Sequence, residues 1–209
     1  MQIAIIGAGN VGGALARATK EAGHDVVVSS VSQDKVDALV QELGVRKAGS
    51  NLEAVQEADV VVLAAYLPAV EQIVEELGSA LDGKIVIDPT NPVKPDMSGR
   101  AFEDTSGSEI IQAKVPGARV VKAFNTVFAS RQAQPSQDGV ALDGLVAGDD
   151  AEAKQVVMDL LSKIGYRPID VGPLSNARYL EAMGFLNISL NAANGWPWQS
   201  SWKLVGPTG

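Results

Sequence analysis

The chain of 209 residues contains no cysteine and one histidine, His24. Without thiols there is no disulfide, no thiolate nucleophile, no thiolate-bound zinc and no iron–sulfur cluster. His24 lies in the turn Gly23-His24-Asp25, for which a turn or surface role is expected rather than catalysis. No HxxxH, Ser/His/Asp or paired-carboxylate pattern presents itself, so no metal site is expected. Basic residues are outnumbered, 17 against 25 acidic, and the net charge of −8 argues against nucleic acid as a partner. No run approaches 18 apolar residues, and the chain enters an apolar segment at Gln2 without a basic n-region or cleavage site. A cytoplasmic protein that neither spans nor binds a membrane is the expectation. Aromatic residues make up only 5% of the chain, yet all three tryptophans, Trp196, Trp198 and Trp202, sit in one C-terminal segment.

What is present is concentrated at the start. An apolar run, Ile3 to Ile6, leads into Gly7-Ala8-Gly9-Asn10-Val11-Gly12, a helix-length segment follows from Gly13 to Ala22, and a second apolar run spans Val26 to Val28. The pattern predicts strand, glycine turn, helix and strand in one unit. Gly7 allows the tight turn, Gly9 lets backbone approach a pyrophosphate, and Gly12 lets the helix pack on the strand. The helix start, at Asn10 and Val11, then directs free N–H groups at the phosphates. A dinucleotide site is expected here.

Strand-like runs recur at Val26 to Val28, Val60 to Ala64, Ile85 to Ile87, Val120 to Ala123 and Leu142 to Val146. They are apolar on consecutive residues, as strands covered on both faces must be. Asp34 to Leu43, Pro68 to Leu81 and Asp149 to Ile164 carry apolar residues at three- and four-residue spacing and read as amphipathic helices. The alternation predicts an α/β, doubly wound Rossmann fold with a mostly parallel sheet and a small C-terminal helical segment. Residues 1–172 are expected to form the nucleotide-binding domain, and residues 173–209 a C-terminal helix and tryptophan-rich tail. Residues 89–108, rich in Pro, Gly, Ser and charge, are expected to form a long loop or lid rather than core. Asp88 and Asp104 read as turn-forming acids.

The second strand ends in Ser29-Ser30-Val31-Ser32, without the Asp or Glu that an NAD site places there. Ser29, Ser30 and Ser32, with Lys35 one helical turn further on, offer hydroxyls and charge to a 2′-phosphate, so NADP is favoured and NAD is the alternative. The same serines could serve only to cap the helix from Gln33. Ligands of open parallel sheets lie beyond the carboxyl ends of the strands. Those ends carry Ala64-Ala65-Tyr66-Leu67-Pro68, Asp88-Pro89-Thr90-Asn91-Pro92 and Ala123-Phe124-Asn125-Thr126. Leu67 and Pro68 are expected against the cofactor, with Ala64, Ala65 and Ala123 in the same strand ends. Asn91 and Asn125 are expected to offer amides to the nicotinamide or the second substrate, positioning it without acid–base chemistry. For Asn125 a turn-forming role is equally open.

Several motifs coincide with one family. IAIIGAGNVGGALA, the serine-rich strand end with Lys35, VIDPTNP, VVKAFNTV and VGPLSNARYLE together resemble the NADPH-dependent reductases of the deazaflavin coenzyme F420. They are also similar to the cytosolic nucleotide-binding domain of six-transmembrane, STEAP-like ferric reductases. The resemblance spans about residues 1 to 190. It implies NADP along the strand ends, a flavin-like acceptor stacked on the nicotinamide, and a pocket roofed partly by C-terminal residues. A homodimer through the tail is a further expectation, from the resemblance and from exposed-aromatic logic. The chain departs from the family pattern at Val31, where members often carry arginine after Ser or Thr, and in its ending, GWPWQSSWKLVG.

Three functions follow. The first is hydride transfer between nicotinamide and F420 or a flavin, which needs positioning more than acid–base groups. The second is reduction of a small carbonyl or imine, with Tyr66 or Tyr179 as proton donor. The third is a non-catalytic, redox-sensing NADP-binding module whose tryptophans engage a partner.

Overall fold

A computed structural model describes residues 1–206. The residues Pro207 to Gly209 of the expected C-terminal unit lie outside the described residues. Eighteen elements run in chain order. They begin β1 (Gln2–Ile6), α1 (Asn10–Glu21), β2 (Asp25–Ser29), α2 (Gln33–Leu43), β3 (Arg46–Lys47) and α3 (Asn51–Gln56). Next come β4 (Val60–Leu63), α4 (Leu67–Leu77), β5 (Ile85–Asp88), α5 (Gly107–Lys114), β6 (Arg119–Lys122) and α6 (Ala129–Gln132). The chain continues with β7 (Ser136–Gln137), β8 (Val140–Ala141), β9 (Asp143–Gly148), α7 (Ala151–Ile164), β10 (Arg167–Asp170) and α8 (Ala177–Asn194).

Eight strands form one sheet in the order β10-β9-β6-β5-β4-β1-β2-β3. The order reverses beside β1, which pairs in parallel with both β2 and β4, so a crevice opens at its carboxyl end. The expectation of parallel pairing holds from β3 to β6. It fails at β9, which runs antiparallel to β6, with Val121 opposite Gly148, and β10 follows β9 in parallel. The short hairpin β7–β8, between α6 and β9, reverses the chain where a helical crossover would have kept it parallel.

Consecutive apolar residues on the strands divide between two faces. Ile3, Ile5, Val60 and Val62 pack with Leu15 and Ala16 of α1, Val36 of α2, and Val157 and Leu161 of α7. Ala4, Ile6, Val61 and Leu63 pack with Val55 of α3, Val70 and Val74 of α4, and Ile111 of α5. Each face is a separate core, which is why the strands lack polar alternation.

Two short polar sequences act as helix starts. Ser106 begins α5: its Oγ accepts from Glu109 N–H (3.2 Å) and donates to Glu109 Oε2 (2.8 Å). Ser50 caps α3 through Glu53 N–H (3.1 Å). The segment 89–108 is therefore not loop throughout. Its middle turns over at Lys94–Met97, but Pro89, Thr90, Ser106 and Ser108 are buried. His24 also departs from expectation, being only 5% exposed, although it does occupy the turn into β2.

The C-terminal segment folds back along α8. Asn187 Nδ2 donates to Ser200 O, and Asn191 Nδ2 to Ser200 Oγ, at 3.0 and 2.6 Å. Asp143, buried at the start of β9, holds the end of the tail: it accepts from Arg167, from Lys203 Nζ (2.7 Å) and from Leu204 N–H (2.7 Å). Burial alone would raise the Asp143 carboxyl, but these donors keep it below its usual range. Asp143→Asn, which leaves one acceptor oxygen for four donor N–H groups, two of them from Arg167, is expected to cost about 2 kcal/mol and to release residues 203–206. Faster proteolytic cleavage at Lys203, read against the wild type, checks this.

Candidate functional site

The glycine turn carries the geometry its spacing implies. Gly7 has φ +117°, and a Cβ there would lie 2.2 Å from the carbonyl oxygen of Ala64. A Cβ at Gly12 would lie 2.0 Å from Gly7 O, whereas one at Gly9 would meet nothing within 4 Å. Gly7 and Gly12 thus pack β1, α1 and β4 together, and Gly9 leaves open space over the turn. No side chain caps α1 at Gly9, and the first intrahelical N–H bond is Gly13 to Gly9 O, at 2.8 Å. The N–H groups of Asn10, Val11 and Gly12 are left for a ligand.

A cavity of about 470 Å³ runs from this turn across the ends of β4, β5 and β6 to α8. Its wall combines Gly9, Asn10 and Val11 with Ala64 to Pro68, Pro89 to Val93, Phe124 to Ala129, Gln132 and, from α8, Gly184, Asn187 and Ile188. Of the expected residues, Gly9, Asn10, Val11, Ala64, Ala65, Leu67, Pro68, Asn91 and Asn125 meet here. Ala123 is buried and does not line the wall.

The serine turn splits. Ser29 is buried and donates its hydroxyl to Asn51 Oδ1 at 2.9 Å, so it braces α3 against β2. Ser30 Oγ accepts from Ser32 N–H at 3.3 Å. Ser32 occupies the N-cap of α2, yet its hydroxyl makes no capping bond, which answers the capping reading against that residue. Lys35 lies on the wall of a second cavity between α1 and α2.

Asn91 and Asn125 form a closed pair. Asn91 Nδ2 donates to Asn125 O (2.7 Å), and Asn125 Nδ2 donates to Asn91 Oδ1 (2.8 Å) and to Leu180 O (2.9 Å). Gly184 permits this approach, since a Cβ there would lie 2.3 Å from Asn91 Oδ1. Phe124, between β6 and Asn125, is held at φ +67°, a left-handed conformation that costs a non-glycine residue about 1 kcal/mol or more. Thr90 Oγ1, Asn125 Oδ1 and Gln132 Oε1 are buried without a partner among the described residues, and all three residues line the cavity. Orphaned acceptors and donors of this kind fit a ligand that brings its own polar edge, as a nicotinamide carboxamide would. Tyr66 is the one titratable side chain on the wall, and it is 89% exposed.

Beneath the pair lies a charge cluster that sequence reasoning missed. Lys122 is fully buried; its Nζ donates to Asp88 Oδ2 (2.9 Å), Glu181 Oε1 (2.9 Å) and Thr90 O (2.6 Å). Ser108 Oγ donates to Asp88 Oδ2 (2.6 Å), Thr90 N–H to Asp88 Oδ1 (2.8 Å), and Gly107 N–H to Glu181 Oε1 (2.9 Å). Asp88 makes the expected turn, through Thr90 N–H two residues on, and is at the same time a buried ionic anchor. Burial would push its carboxyl up, yet Lys122 and the Ser108 and Thr90 donors hold it below the usual carboxylate range. Burial opposes the Lys122 ammonium, but Asp88 and Glu181 raise it; Glu181 itself is raised, chiefly by burial. The available signal was Lys122, a lone lysine inside the apolar run Val120 to Ala123.

The reversal of strand order beside a glycine turn, opening on a slot of polar amides, defines a dinucleotide-binding Rossmann protein, and its relatives make it an oxidoreductase. The family model described as NADP oxidoreductase, coenzyme F420-dependent, matches residues 2–92. An F420-dependent NADP reductase of Methanothermobacter marburgensis is 33% identical over 93% of this chain and 94% of its own length. The chain belongs to the F420-dependent NADP reductase family. Metalloreductase STEAP3 of Rattus norvegicus is 30% identical over 87% of this chain, which spans 36% of that longer protein. A crystal structure assigned provisionally as an F420-dependent NADP reductase, from Arthrobacter sp. FB24, superposes with a TM-score of 0.89 at 28% identity, covering 98% of this chain and 99% of that one. Among the described residues no helix is long and apolar enough to cross a membrane.

Proposed function

We propose that this enzyme moves a hydride between NADP(H) and F420, with both rings held in the 470 Å³ cavity. The observation that carries this reading is the wall itself: buried amides and proline-rich strand ends, with no general acid or base beyond the exposed Tyr66. When bound, nicotinamide and deazaflavin supply the redox chemistry, one hydride passing between their rings and one proton being taken up from solvent as F420 is reduced. The chain's part is positional. The N–H groups of Asn10, Val11 and Gly12 hold the pyrophosphate, with Gly9 leaving room for it and Gly7 making the tight turn. Leu67 and Pro68 bear on the nicotinamide-side ribose and ring, and Asn91 and Asn125 orient the carboxamide and the facing ring edge. Ser30, Ser32 and Lys35 serve the 2′-phosphate; Ser29, already bonded to Asn51, supports the turn from below.

A carbonyl or imine substrate would need Tyr66 or Tyr179 as donor, and Tyr179 lies outside the cavity wall. A cytoplasmic homodimer belongs to the same reading, with half-exposed Trp196 and Trp198 as its contact surface. The reading is tested by following NADPH absorbance with F420, FMN and FAD offered in turn. Consumption with F420 is expected. NADPH binding without consumption by any acceptor overturns it.

A further inference from the structure

The second cavity, about 340 Å³, opens between α1 and α2 and shares Gly9 and Asn10 with the first. Apart from Asn10 and Leu39, its wall is built of small residues and two cations, Arg17 of α1 and Lys35 of α2. The turn after β2 supplies no cation of its own before Lys35: Val31, at its tip, is 99% exposed and carries no donor. The Lys35 ammonium has no hydrogen-bond or ion-pair partner among the described residues. Arg17 has one side-chain partner, Glu42, in a pair whose side chains are 37% and 53% exposed. An exposed ion pair of that kind is weak and readily exchanged.

We infer that Arg17, together with Lys35, binds the 2′-phosphate of NADP(H) in the groove between α1 and α2, supplying from α1 the guanidinium that the β2–α2 turn lacks. The adenosine ribose of a dinucleotide lies beside the end of the second strand, next to this groove. A phosphomonoester carries close to two negative charges and three acceptor oxygens, so it displaces the single carboxylate of Glu42 from the guanidinium fork. Glu42 is then a competitor for Arg17, which sets its effect opposite in sign to that of Lys35. This inference rests on the NADP reading of the dinucleotide site, but it concerns binding alone and needs no acceptor.

The test is the ratio of NADPH to NADH dissociation constants, measured by calorimetry on the full chain for the wild type, Arg17→Ala, Arg17→Lys and Glu42→Gln. The wild type is expected to prefer NADPH. Arg17→Ala should weaken NADPH about tenfold or more and leave NADH unchanged, and Arg17→Lys should fall between. Glu42→Gln removes the same ion pair, so any purely structural role of the pair would appear in it as well; it is expected to bind NADPH as tightly as the wild type or tighter. The inference is overturned if Arg17→Ala keeps the wild-type ratio, if it loses NADPH and NADH equally, or if Glu42→Gln weakens NADPH as Arg17→Ala does. A shifted ratio in an enzyme that does not reduce F420 would leave the inference standing and refute the F420 reading instead.

Discussion

Lys122→Met is expected to destabilise the fold by about 3–5 kcal/mol, the cost of leaving buried carboxylates without their ammonium. Asp88 and Glu181 are the groups left unpaired, and their other donors, Ser108 Oγ and the Gly107 and Thr90 N–H groups, cannot neutralise two charges. The pH dependence should invert as well. In the wild type the folded-state pKa of Asp88 is lowered, so its contribution is present above the unfolded value and lost as pH falls through the folded one. Glu109, Asp143 and Asp170 are lowered too and act in the same direction. Glu181, whose pKa is raised, acts in the opposite one: its contribution is full at low pH and is lost as pH rises through the folded value. In Lys122→Met both buried carboxyls are expected to be raised, so the variant should gain stability as pH falls toward the unfolded carboxylate values, whereas the wild type loses the contribution of Asp88 once pH falls below them. Urea unfolding at two pH values measures both effects. Equal slopes with pH would mean that the cluster is not the ionic anchor described here.

Asn125→Ala should lower kcat/KM for NADPH oxidation by F420 about a hundredfold while leaving the fold largely intact. The amide joins three elements, donating to Asn91 Oδ1 at the end of β5 and to Leu180 O on α8 from its own place after β6. Its loss frees Asn91 to turn and widens the slot between the strand ends and α8, and a misplacement of about 1 Å in a reaction that depends on positioning carries a penalty of that size. Steady-state kinetics with NADPH affinity measured in parallel separates this from lost cofactor binding. A decrease confined to cofactor affinity would assign Asn125 to the cofactor alone.

Much of the architecture was legible because it depends on local pattern. The glycine spacing at 7, 9 and 12, the apolar runs of β1, β2, β4, β5 and β6, and the periodicity of α2, α4 and α7 are near-neighbour signals, and each element formed within a few residues of its expected bounds. β10 escaped because Arg167-Pro168-Ile169-Asp170 is a half-exposed edge strand, where proline and charge are tolerated and apolar pattern is weak. The reversal at β9 escaped because direction is set by the hairpin 136–141, not by the composition of the strand. At the site, Asn91 and Asn125 were legible as strand-end amides. Their pairing was not, because it depends on Gly184 of α8, more than fifty residues away in sequence. The Lys122–Asp88–Glu181 cluster is of the same kind: each charge looks ordinary in its own segment, and only the packing of α8 over β5 and β6 brings the three within 2.9 Å contacts.

The central claim is direct hydride transfer between the two ligands within one cavity. NADPH carrying deuterium at C4, on one face and then on the other, is mixed with the enzyme and F420, and the reduced deazaflavin is examined by mass spectrometry. One of the two labels should appear in the product ring without exchange into solvent. Reduced F420 free of deuterium with both labels would contradict the account.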